Sequence, residues 1–190
     1  MSQSEMERAQ AAGMPAGSVI SVLLEQHAKI RELFVMVRNA TGETRQGLFD
    51  DLRELLAVHE GGEEMVLRPV SRKDAGTEVA DARNAEESEA AHVLAELEKM
   101  DVTGAEFLAK LGEFEQAVSD HADHEEREEF PLVQAAHSDD ELRAMGEKLL
   151  KAEHKAPTHP HPTAAGSPAA QRVTGPFAAL LDKARDAHRS

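Results

Sequence analysis

Apolar residues recur every three to four positions in several separate stretches, the period of helices that each bury one face. From Val19 to Ala40 the buried stripe is Ile20, Leu23, Leu24, Ile30, Phe34 and Val37, with Ser18 as N-cap and Thr41-Gly42 as the stop. A second helix is predicted from Glu43 or Thr44 to Arg68, with stripe Leu48, Leu52, Leu55 and Val66, closed by Pro69. The polar segment 70–78 reads as a loop. The third helix, from about Glu78 to Met100, carries Val79, Ala82, Ala90, Val93, Leu97 and Met100. The fourth runs from Ala105 to about Phe130 on Phe107, Leu111, Phe114 and Val118, with a short continuation past Pro131 through Ala136. Ser138-Asp-Asp-Glu141 is a capping-box signature for one more amphipathic helix, to about Glu153.

This pattern predicts an all-α protein: an up-down four-helix bundle with extra C-terminal helices. Residues 1–17, with Gly13, Pro15 and Gly17, read as a flexible N-terminal lead, and 18–136 as the bundle. Residues 137–155 form the additional helix, 156–176 a Pro/His-rich linker, and 177–190 a short C-terminal helix over Phe177 to His188.

Polar residues interrupt the stripes at positions where core residues are expected. His27 does so in the first helix, His59 and Glu63 in the second, and His121 and Glu125 in the fourth. The last four belong to a doubled motif, H-x3-E-E-x4-P, whose copies are offset by 62 residues (59 to 121, 63 to 125, 69 to 131). Within each copy the His and the first Glu are i and i+4, neighbours on one helix face. One His-x3-Glu is most often an exposed pair; two copies aimed at a core are not, because a buried carboxylate is costly unless paired or bound to metal. The repeat predicts two equivalent half-sites. On the third helix Glu86 lies on the stripe, seven residues from both Val79 and Val93, with Glu89 at its edge, while His92 points away. Glu60, beside His59, is a possible extra ligand. Gly61-Gly62, costly within a helix, implies close packing near the site.

Composition narrows the chemistry. Lys+Arg 21 against Asp+Glu 36 gives a net charge of −15 with no basic stripe, which argues against nucleic acid or an anionic membrane as partner. Without cysteine, disulfides, iron–sulfur clusters and thiol chemistry are excluded. Neither a membrane-length apolar run nor a signal-peptide core is present in the sequence, so a cytoplasmic protein is expected. A metal site here must use imidazole and carboxylate, and a set rich in carboxylate suits two iron or two manganese ions.

The order His27, His59-Glu63, a third-helix ligand, then His121-Glu125, with the flanking prolines, resembles the hemerythrin-like, HHE cation-binding domain family over about residues 18–136. The resemblance implies a non-haem centre of two iron ions, oxo- or hydroxo-bridged, with manganese as a possible substitute. In it Glu63 and Glu125 bridge and the histidines are terminal ligands. The family usually supplies a histidine from the third helix, where His92 is the available one; helix geometry favours Glu86. A carboxylate in that place makes the centre less like a histidine-rich oxygen carrier.

The expected function is therefore binding or sensing of O2, NO, peroxide or iron. A di-iron enzyme with catalase-like or oxidase activity and a metal-free helical interaction protein are the alternatives. The expected partner is a small diatomic ligand or peroxide; the sequence points to no particular protein partner.

Overall fold

A computed structural model describes residues 1–154; the expected linker and the C-terminal helix lie outside them. Every element formed by these residues is helical: α1 (Gln3–Ala12), α2 (Val19–Asn39), α3 (Gly42–Gly62), α4 (Arg68–Asp74), α5 (Thr77–Leu97), α6 (Ala105–His124), α7 (Phe130–Ala136) and α8 (Asp139–Glu153). Two five-residue π-helical segments, Glu63–Leu67 and Glu125–Glu129, join α3 to α4 and α6 to α7. The bundle thus has four long rods: α2, α3 with α4, α5, and α6 with α7. None of the helices among the described residues is long and apolar enough to cross a membrane.

The prolines do not stop the helices. A proline ring collides with the carbonyl four residues back in an α-helix and lacks the N–H to continue its ladder. Those carbonyls, of Met65 and Arg127, belong to the π segments, whose extra residue widens the turn at that point. The Arg68 N–H reaches back to the Glu63 carbonyl and the Phe130 N–H to that of Glu125, and each proline then occupies the first turn of a fresh helix. The expected loop at 70–78 contracts to a break at Ala75 and Gly76. Gly76, at φ +101°, adopts a conformation that a side chain would strain.

The N-terminal segment is also a correction. Residues 3–12 form α1 rather than a frayed lead, started by a capping box between Ser2 and Glu5. It is held on α2 by ion pairs and a small apolar contact: Glu7 is buried against Arg31, Arg8 pairs with Glu25 and Glu32, and Ala11 is buried among apolar residues of α2. Helix α8 follows the expected start, with Ser138 and Glu141 forming a capping box. It fits tightly because Gly62 and Gly146 have no side chains. A Cβ on Gly146 would meet the Gly17 carbonyl at 2.1 Å, and one on Gly62 would lie 2.8 Å from Leu149 Cδ1.

Two apolar clusters fill the bundle. One joins Ile30, Phe34 and Val37 to Phe49, Leu52, Leu94, Leu97, Phe107 and Phe114. The other joins Val19, Ile20, Leu23 and Leu24 to Leu67, Phe130, Val133, Leu142 and Leu149. On α2 the first begins at Ile30 and the second ends at Leu24, and between them sits His27. His27 belongs to a buried polar layer that crosses the bundle.

Candidate metal centre

The polar layer contains His27, His59, Glu60, Glu63, Glu87, His121 and Glu125, none more than 5% exposed. Their ligand-type atoms converge in two overlapping groups. His27, His59, Glu63 and Glu125 form one, and Glu60, Glu63, Glu87 and His121 the other, with the chosen atoms of each group within 4.8 Å of one another. Glu63 is common to both. Glu125 also spans them, its Oε2 lying 3.4 Å from His27 Nε2 and its Oε1 3.3 Å from His121 Nε2.

The outward nitrogen of each histidine is held by a partner, which aims the other nitrogen inward. His27 Nδ1 lies 2.8 Å from a Glu126 carboxylate oxygen, His59 Nδ1 2.8 Å from Gln26 Oε1, and His121 Nδ1 2.9 Å from Glu86 Oε2. An acceptor behind each ring is what a metal-ligating histidine requires to fix its tautomer. Inside the layer the pairing stops. His27 Nε2, His121 Nε2, Glu60 Oε2, both oxygens of Glu63, Glu87 Oε2 and Glu125 Oε2 are buried without a hydrogen-bond partner. Buried polar atoms are rarely left so, and here seven of them face one another. Their identities, imidazole nitrogen and carboxylate oxygen, fit a pair of first-row metal ions.

Burial and crowding distort the protonation of these groups. Burial, reinforced by the charge of Glu125, holds the Glu63 carboxyl well above the usual range, and burial with Glu87 and Glu125 pushes Glu60 up to about 8. Burial disfavours the charged form of His27, but Glu125 and Glu126 outweigh it and raise the imidazole to about 9. Burial and the neighbouring charge on His27 keep His59 neutral. Glu125 resists its burial because His121, His27 and Arg68 surround it, and it stays well below the usual range.

Arg68 is the one buried cation of fixed charge that reaches this layer among the described residues. It donates to Glu87, to Glu125 Oε1 at 3.0 Å and to both oxygens of Glu129 at 2.7 and 2.8 Å, with Glu63 Oε2 3.9 Å away. The π segments explain how it gets there. Their extra residue turns two consecutive side chains inward in each repeat, Leu67-Arg68 and Glu129-Phe130. The polar members pair beneath the site, and the apolar members join the second cluster.

Five of the expected ligands, His27, His59, Glu63, His121 and Glu125, are thus brought together, and Glu60 joins them. The third-helix expectation is corrected. Glu86 is partly exposed and stands one layer out, where it accepts from His121, His124 and Arg83. His92 is exposed, with Nδ1 2.7 Å from the Ser88 carbonyl oxygen, and takes no part in either group. The inward residue is Glu87. The buried face of α5 is Ala80, Arg83, Glu87, Ala91, Leu94 and Leu97, rotated from the expected stripe. A signal for Glu87 exists in the adjacent pairs Gln26-His27 and Glu86-Glu87. In each, the first residue supports the histidine of one repeat and the second points into the layer. His124 is half-exposed, and Arg31, near the site, joins Glu7 to Asp123.

Beside the histidines lies a small cavity of about 10 Å³, room for roughly one water-sized molecule. His27, His59, His121 and Glu60, with Arg31 and Ser119, form its polar wall, and Ile30, Phe34, Val118 and Ala122 its apolar wall.

A family model described as the hemerythrin HHE cation binding domain matches residues 18–133. A hemerythrin-like protein of Schizosaccharomyces pombe is 27% identical over 172 residues, which cover 88% of this chain and 85% of that protein. The crystal structure of a hemerythrin HHE cation binding domain-containing protein from Mycobacterium kansasii is similar at a TM-score of 0.65 and 26% identity, covering 72% of this chain and 85% of that one. The family match spans more than half of the sequence and takes in every side chain of both convergent groups. By fold, motif order and buried His/Glu layer, the chain belongs to the hemerythrin HHE cation-binding domain family.

Proposed function

We propose that the polar layer holds two iron ions and that the protein binds or reacts with a small oxidant or diatomic molecule there: O2, NO or peroxide. The observation that carries this reading is the pair of overlapping ligand groups that share Glu63, with their inward atoms otherwise unpartnered. One ion would be held by His27, His59, Glu63 and Glu125, the other by Glu60, Glu63, Glu87 and His121. Charge supports the count. With neutral histidines, the carboxylates of Glu60, Glu63, Glu87 and Glu125 balance two divalent ions, while Arg68 is matched by Glu129. The donor set also admits manganese.

Iron held by these residues would supply redox chemistry toward the small molecule. The chain's own residues decide what reaches it. The cavity beside the histidines has room for roughly one water-sized molecule, which leaves none for an organic substrate and restricts entry to very small molecules. Carboxylate outnumbers imidazole in the layer, and carboxylates favour the higher oxidation state of a bound metal. This supports a redox reaction with peroxide, a catalase-like activity, over reversible carriage of O2. Sensing of iron itself is a weaker reading, because ligands this deeply buried exchange slowly with solution.

Iron analysis and absorption spectroscopy on protein made in iron-replete cells test the reading. It predicts two irons per chain and a spectrum that changes on adding NO or peroxide. Iron-free protein, or an iron spectrum indifferent to both, would overturn it. Rapid peroxide loss that disappears in Glu63→Ala would favour the enzyme over the sensor.

A further inference from the structure

Helix α8 lies beyond residues 18–133, the span of the family match, yet its last residue reaches the layer of contacts behind the proposed metal ligands. Gln26 Nε2 donates to Glu153 Oε1 at 2.9 Å, and the other end of the same amide, Oε1, lies 2.8 Å from His59 Nδ1. Glu153 is 9% exposed and His59 2%. We propose that Glu153 is a positioning residue for the metal centre, acting through Gln26 to hold the His59 proton on Nδ1 and leave the lone pair of the inward nitrogen toward the ions. This rests on the proposed metal-binding role of the polar layer.

The argument is one of donors and acceptors. An ionised carboxylate only accepts, so it binds the NH2 end of Gln26 and repels the carbonyl end. That fixes the amide with its carbonyl toward His59. A carbonyl also only accepts, so His59 must carry its proton on Nδ1, leaving the Nε2 lone pair inward, 3.8 Å from Glu63 Oε1. Without Glu153 the amide is free to turn over. Its NH2 end would then donate to Nδ1, move the ring proton to Nε2 and remove a ligand lone pair. The approach of α8 is built for this reach. Glu153 Cγ lies 3.0 Å from the place a Cβ would take on Gly62, so a glycine there lets the carboxylate come in beside the end of α3. Gly62, three residues after His59, is explained by the docking of α8.

The test uses the full-length chain as parent, Glu153→Ala and Glu153→Gln. Long-range 1H–15N correlation on metal-free protein reports which nitrogen of His59 carries the proton, and iron(II) titration reports affinity. The parent is expected to hold the proton on Nδ1. Glu153→Ala should populate the other tautomer and bind iron about 10-fold more weakly, the scale of losing a contact behind a ligand. Glu153→Gln can either accept from or donate to Gln26, so it fixes the amide less firmly and its tautomer ratio and affinity should fall between those of the parent and of the Ala variant. An Ala variant with the parent's tautomer and affinity overturns the proposal; so does an equal loss in the Ala and Gln variants, which would make the role one of charge or packing. If the tautomer responds as expected but the parent binds no iron, the relay stands and the metal reading fails.

Discussion

His27 Nε2 and Glu125 Oε2 face each other at 3.4 Å across the bundle, both buried and neither with a hydrogen-bond partner. The two atoms are near enough to attract but not aligned to bond. The other end of each side chain is satisfied: Glu126 accepts from the far nitrogen of His27, and Arg68 donates to the other oxygen of Glu125. A layer so well supported from behind and unpaired within is the arrangement expected of ligands waiting on a cation.

The first prediction concerns the third helix. Glu87→Ala should lower the metal content by about one ion per chain, since Glu87 belongs to only one of the two groups. His92→Ala should leave it unchanged, and Glu86→Ala should weaken binding roughly 10-fold by releasing His121. Elemental analysis of the three variants side by side checks the order. A His92 variant that loses metal while Glu87→Ala keeps it would reverse the assignment.

Arg68 supplies a second. In the metal-free protein it is the cation that offsets Glu87, Glu125 and Glu129, so Arg68→Met leaves buried carboxylates unpaired. The cost expected for breaking such a pair is about 3–5 kcal/mol. Thermal melts should show a large loss without metal and a smaller one with metal, because bound ions take over the charge on Glu87 and Glu125. Equal losses in both forms would place the effect in packing.

The raised groups set a pH dependence. In the metal-free protein Glu60 is pushed from an ordinary 4.5 up to about 8 and His27 from 6.5 to about 9. Between pH 6.5 and 9 the folded chain therefore holds protons that the unfolded chain has released, and stability without metal falls as pH rises through that window. Metal must displace the same protons, so affinity moves the opposite way and strengthens from pH 6.5 to 9. Melts and iron titrations across that range read the two slopes. Parallel slopes would contradict the protonation pattern.

Gly146 tests the docking of α8. A methyl group there would strike the Gly17 carbonyl and the Val19 backbone nitrogen, neither of which can swing aside. Gly146→Ala should cost about 1–3 kcal/mol, the range for overpacking. Gly112→Ala, with open space around its Cβ, should be neutral or slightly stabilising. Chemical denaturation of both variants makes the comparison.

What was legible in the sequence follows from where the physics is local. His27, His59, Glu63, His121 and Glu125 stood out because each replaces an apolar residue on a strongly striped helix. Helix α5 hid its ligand because it is rich in alanine and glutamate; Val79 and Val93, which defined the expected face, are only half-buried, and the true face turns on Ala80, Ala91 and Leu94. Pro69 misled for a different reason, whereas the expected continuation past Pro131 through Ala136 is present. Pro69 and Pro131 stop an α-helix, but a π turn before them removes the clash, and no side-chain rule announces that turn. Helix α1 was missed because its hold on the bundle is Glu7 on Arg31 rather than an apolar stripe, although its Ser2–Glu5 capping box was in plain view.

The most direct measurement is the number of metal ions per chain, taken on freshly purified parent protein and on Glu63→Ala. Because Glu63 is the residue common to both groups, the parent should carry two ions and the variant should lose both together. A parent with a single ion, or a Glu63→Ala variant that still holds two, would contradict a centre built on that shared carboxylate.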